Sequence, residues 1–126
     1  MLPDVSNEDV YRQRTIDELL LREKDGRPLL RRLFEIYLQE TPRLLEELEA
    51  SLMARDSEAC YDVIHQMKGS AAALGALRVF KLTEAALPLC RNGQVLQIDD
   101  IVERIESESD AFVQKVAEIL DGHAKG

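Results

Sequence analysis

A chain of 126 residues, 45% hydrophobic and 32% charged, is long enough to bury a core without disulfides or metals and too apolar to stay disordered. A formal net charge of −8 with no basic run excludes a nucleic-acid or anionic-membrane surface, either of which needs a concentrated basic face. No apolar stretch approaches a membrane span, and Met1-Leu2-Pro3-Asp4 lacks a charged-then-apolar leader, so a cytoplasmic protein is expected. The two cysteines, Cys60 and Cys90, lack metal-site spacing and fall within helical patterns, which predicts buried free thiols rather than a disulfide.

In chain order, Ser6 followed by Asp9 resembles a capping box with Asp in place of Glu and predicts a first helix over about residues 7–22. Val10, Ile16, Leu19, Leu20 and Leu21 give it an apolar side, and Asp25-Gly26 stops it. Pro28 falls early enough in the next helix to be tolerated. Leu30, Leu33, Phe34, Tyr37, Thr41, Leu44, Leu45, Leu48 and Leu52 then keep the three-and-four spacing for about six turns. Pro42 removes a backbone donor midway, so a kink is expected at 39–41.

Asp56 or Ser57 is placed to cap a third helix, and Gly75 to end it in a left-handed turn. With residues about 100° apart round the axis, Cys60, Val63, Ile64, Met67, Ala71 and Leu74 form its core stripe. His65 falls on the opposite side and faces water, with Lys68 and Gly69 as its i+3 and i+4 neighbours. An imidazole flanked by an ammonium on one side and by no side chain on the other is open to close approach. Tyr61, Ala72 and Ala73 flank it, and Arg78 and Lys81 lie early in the fourth helix, predicting a shallow contact patch with a basic rim. Ser70 tilts toward the packed side as a small edge residue.

The fourth helix starts at once, with Leu77, Phe80, Leu82, Ala85 and Leu89 predicted inward and Pro88 predicted to bend or end it. Asn92-Gly93 marks a loop. From Ile98 or Asp99 a last helix presents Ile101, Val102, Ile105, Phe112, Val113, Val116, Ile119 and Leu120, a stripe interrupted by Ser109, and the tail after Gly122 is expected to fray. No segment patterns as a strand, a repeat or low complexity. The expectation is therefore a single all-α domain over 1–126, an antiparallel up-down four-helix bundle at about 26–121 with an additional short N-terminal helix.

The run His65-Gln66-Met67-Lys68-Gly69-Ser70-Ala71, followed by Leu74-Gly75-Ala76, resembles the signature of the histidine-containing phosphotransfer (HPt) domain. Phe34-Glu35-Ile36-Tyr37-Leu38-Gln39-Glu40-Thr41-Pro42 is similar to the phenylalanine-to-proline segment of that family's long helix. Met67 stands where leucine is commoner, a swap between apolar fillers of similar size. The resemblance implies a helical bundle that relays phosphoryl groups in two-component phosphorelays. It implies that the distal nitrogen of His65 accepts the group from a receiver-domain aspartate of a hybrid sensor kinase and passes it, reversibly, to an aspartate of a response regulator. It places magnesium on the partner's receiver domain and requires no cofactor of the chain itself. A monomer that binds neither nucleic acid nor membrane is expected.

The residues suit that chemistry on their own terms. A neutral imidazole is a competent nucleophile, and an exposed one, with a reference pKa of about 6.5, is largely neutral near pH 7. Phosphoryl transfer demands in-line positioning and charge stabilisation more than bond-making groups from the protein. Lys68 can donate charge-assisted hydrogen bonds to phosphoryl oxygens one turn away, and Gly69 leaves room for a partner's acidic pocket. No GxxxxGK[ST], G-x-G-x-x-G or kinase catalytic set is present, so the chain reads as a carrier rather than an enzyme with its own ATP site. Two competing readings are weaker. Asp62-x-x-His65 loosely resembles bundle metal-ligand spacing, but His65 points outward and the only other histidine is His123. A non-catalytic helical adaptor would leave Lys68 and Gly69 beside His65 as coincidence.

Overall fold

The computed structural model describes residues 2–125, with side chains through His123, and among these residues every regular element is helical. Helix α1 spans Gln13–Lys24, α2 Leu29–Met53, α3 Ser57–Leu74, α4 Leu77–Arg91 and α5 Ile101–Lys125, with a 3-10 turn at Gln94–Gln97. Helices α2 to α5 close the antiparallel bundle: α2 and α4 each pack on both α3 and α5, while α1 lies outside that ring against α2 and α3. Among the described residues no helix is long and apolar enough to cross a membrane.

The predicted stripes of α2, α3 and α5 supply the core. Leu30, Leu44, Leu48, Ile64, Leu74, Ile101, Ile105, Phe112 and Val116 are fully buried. Burying such aliphatic side chains contributes about 1.5–3 kcal/mol each, which is what holds helices with modest intrinsic propensity together. The interruption at Ser109 has a purpose in this core. Its hydroxyl shares a 2.8 Å hydrogen bond with that of Tyr37, whose ring meets Phe112 edge-on at 5.5 Å. The polar tip of a buried tyrosine is thereby satisfied across the α2/α5 seam.

Several local expectations give way to tertiary contacts. The first helix begins at Gln13 rather than near residue 7. Residues upstream are held as turns, with the Ser6 amide bonded to Asp4 Oδ1, the Glu8 amide to the Val5 carbonyl, and the Arg12 amide to the Gly75 carbonyl at 2.7 Å. A backbone donor engaged by another helix's terminus is not available to extend α1. Helix α2 is continuous through Pro42, so the proline does not break it; the carbonyl deprived of a donor is that of Leu38, an exposed residue open to water. Pro88 likewise does not end α4, because the affected carbonyl belongs to exposed Glu84 while buried Leu87 and Cys90 anchor the final turn. Helix α5 continues past Gly122 to Lys125.

The inward face of α4 is also rotated from its expected position. Val79, Leu82, Thr83, Ala86, Leu87 and Cys90 are buried, whereas Leu77, Phe80, Ala85 and Leu89 are only partly covered. Thr83 tolerates burial because its hydroxyl donates to its own helix's carbonyls at Val79 (2.9 Å) and Phe80 (3.0 Å).

Candidate functional site

Helix α3 is fixed at both ends. Asp56 caps it, accepting the Ala59 amide on Oδ1 at 3.0 Å. At the other end Gly75 adopts φ +79°, and the Ala76 amide returns to the Ala71 carbonyl at 2.8 Å, a Schellman-type stop. All six residues of the predicted stripe are buried, and that fixes the roll of the helix. His65 is therefore exposed on the side away from the core.

One turn beyond His65, a Cβ placed on Gly69 would meet nothing within 4 Å. This glycine is not there to let two helices cross. Its face of α3 is open, and exposed Ala72 and Ala73 continue it with methyl groups only. Lys68 leans toward α4, its Nζ 5.6 Å from the centre of the Phe80 ring, a cation–π distance. On the N-terminal side the Tyr61 ring stacks on His65, centroids 6.0 Å apart and planes 10° from parallel. Ser70 is half-buried and lines a shallow cleft with Leu33, Ile36 and Ala73.

Arg78 does not face this surface as a free cation. Its guanidinium donates to the carbonyls of Glu8 (2.8 Å) and Ser6 (3.2 Å) and pairs with Glu108 at 3.3 Å. Arg78 thereby ties the segment before α1 to α4 and α5. Arg104 assists by bonding the Pro3 carbonyl, and Lys81 lies 4.0 Å from Glu8. Among the described residues no group of three or more His, Cys, Asp or Glu side chains could hold a metal ion, so Asp62 and His65 lack the further ligands of a metal site.

Both cysteines are free and buried. Burial pushes the Cys60 thiol up, and burial followed by the proximity of Cys60 pushes that of Cys90 to about 11, so neither is an accessible nucleophile near neutrality.

Comparison with known proteins bears on this outward-facing histidine. The family model of the Hpt domain matches residues 32–120. The chain belongs to the Hpt domain family. Hpt domains are phosphoryl carriers of phosphorelays and interact with receiver domains. The fold agrees with the crystal structure of histidine-containing phosphotransfer protein B (HptB) from Pseudomonas aeruginosa PAO1, with a TM-score of 0.76 over 89% of this chain and 95% of that one at 20% identity. No curated protein sequence matches significantly.

Two features of this Hpt domain escaped sequence reasoning. Phe80 faces Lys68 because the roll of α4 differs from its hydrophobic pattern. Arg91 donates to the Tyr61 hydroxyl at 3.1 Å, with its guanidinium carbon 5.4 Å from that ring. The contact joins residues thirty apart on different helices. Helical spacing within one element carries no signal for it.

Proposed function

We propose that His65 is the phosphoryl-accepting residue of this Hpt domain. The group arrives from a receiver-domain aspartate of a hybrid sensor kinase and leaves, reversibly, to an aspartate of a response regulator. The observation that carries this reading is the pairing of an exposed imidazole with an adjacent helix face at Gly69, where an added Cβ would meet no described residue within 4 Å. In the forward step the lone pair of the distal ring nitrogen attacks phosphorus, an N–P bond forms, and the P–O bond to the aspartyl carboxylate breaks in line. The aspartate leaves as a free carboxylate, and the other ring nitrogen carries the proton. Lys68, released from Phe80, reaches the phosphoryl oxygens as a point charge. Gly69 and Ala72 form the floor on which the receiver sits.

The carrier contributes position and charge, while the partner's receiver domain brings the acidic pocket and its magnesium; no ATP site or cofactor belongs to the carrier. It works as a cytoplasmic monomer.

Incubation with a radiophosphorylated receiver domain tests the assignment. Label that enters the wild type, is lost in acid and survives alkali is the expected result. His65→Gln should abolish labelling with helix content unchanged, because only an exposed side chain is altered. Retained labelling of His65→Gln would sink the assignment.

A further inference from the structure

Which way the ring nitrogen of His65 points is decisive for in-line transfer, since its lone pair lies in the imidazole plane. An exposed side chain on a helix has rotamers to spare, and holding one of them requires a neighbour. Helical Cα–Cβ bonds tilt toward the N-terminus, so a side chain lies over the turn before its own, above i−4 and i−3. For His65 those positions are Tyr61 and Asp62. The following turn offers nothing, because Gly69 has no side chain and Lys68 is drawn to Phe80.

Tyr61 is itself restrained. It is half-buried, accepts the Arg91 Nη2 hydrogen bond at 3.1 Å, and has that guanidinium 5.4 Å from its ring centre. Arg91 ends α4, where a cation suits the exposed helix carbonyls, and its neighbour Cys90 is buried. The restraint thus passes from α4 to the ring of Tyr61 and from that ring to His65.

We infer that Tyr61 is a positioning residue for the imidazole: clamped by Arg91, its ring stacks on His65 and sets the direction in which the distal nitrogen faces an incoming phosphoryl group. The inference rests on His65 being the phosphoryl acceptor. It assigns Tyr61 an effect on transfer within the complex, whereas a tyrosine acting only as a partner contact alters affinity.

The test compares the full-length wild type with Tyr61→Phe and Tyr61→Leu. Each is first loaded with potassium phosphoramidate, whose P–N bond breaks with release of ammonia as the His65 N–P bond forms. Each is then discharged onto a panel of purified receiver domains at rising concentration. Tyr61→Leu should lower the limiting rate at saturation about fivefold to tenfold, with the half-saturating concentration within about twofold of wild type. Tyr61→Phe keeps the stacked ring and should retain most of the rate. Proton NMR of the unloaded protein needs no partner: the His65 ring protons should be shifted upfield by the neighbouring ring in the wild type and Tyr61→Phe, and released in Tyr61→Leu. Equal limiting rates, a change confined to half-saturation, or His65 shifts indifferent to Tyr61 would overturn the inference. If no receiver drains the label, the NMR comparison decides. Failure of the wild type to take label on His65 would instead overturn the assignment beneath it.

Discussion

Two glycines six residues apart, Gly69 within helix α3 and Gly75 at its C-cap, have opposite surroundings. At Gly69 an added Cβ meets nothing within 4 Å, while at Gly75 it falls 2.9 Å from Thr15 Cβ and 3.4 Å from the Arg12 carbonyl oxygen. Gly75 serves the molecule's own packing: it reverses the chain at φ +79°, lets α1 press against the turn, and accepts the Arg12 amide. Gly69 serves no internal contact and lowers helix propensity by about 1 kcal/mol. Space that the fold fills belongs to stability. Space that the fold leaves empty beside an exposed histidine is, in the function proposed above, room for the partner.

The sharpest way to break this contrast is at the filled end. Gly75→Ala places a Cβ in a left-handed backbone and against Thr15, and should lower unfolding free energy by about 2–4 kcal/mol in urea titration. A loss below about 1 kcal/mol would mean that the α1 contact is loose. Next in size, Arg78→Ala removes three polar contacts to Ser6, Glu8 and Glu108 and should destabilise by about 1–3 kcal/mol, with amide exchange accelerated across residues 5–12. Unchanged exchange there would show that Arg78 does not hold the segment.

Alkaline pH probes the filled interior in a different way. The Cys90 thiol is raised to about 11 by burial, and burial also raises Tyr37 and Cys60. Groups whose folded pKa lies above the unfolded value stabilise fully below the unfolded pKa and lose that contribution as pH rises through the folded one. Stability should therefore fall between about pH 9 and 11, and Cys90→Ala should flatten that slope in urea midpoints measured against pH. At the empty end the expected stability effect is smallest and opposite in sign. Gly69→Ala should be neutral or stabilising by up to about 1 kcal/mol, whereas Gly69→Glu should leave the fold intact and slow phosphotransfer. Normal transfer by Gly69→Glu would move the docking surface elsewhere.

The outward position of His65 was more legible in sequence than its surroundings, for a physical reason. The outward position of His65 follows from six buried residues on one helix, a periodicity written locally. The start of α1 was not legible, because the capping-box pattern at Ser6 and Asp9 competes with bonds from Gly75 and Arg78, seventy residues away in the case of Glu8 and Arg78. The roll of α4 was misjudged because hydrophobic size favoured Phe80 and Leu89. The structure instead buries Thr83, Ala86 and Cys90, whose small or polar side chains gave no such signal. The Tyr61–Arg91 contact exists only once α3 and α4 are side by side.

The contact between Lys68 and Phe80 has a thermodynamic consequence for a relay. A lysine already engaged with an aromatic face must give up that attraction, about 0.5–1 kcal/mol at an exposed site, before it can serve a new anion. In the phosphoryl-stabilising role proposed for it, its net hold on the group is the difference between the two interactions rather than the whole of the second. On that proposal the well that holds the cargo is shallower by about that amount. A shallower well brings consecutive steps closer in energy, which is what the proposed reversible transfer requires.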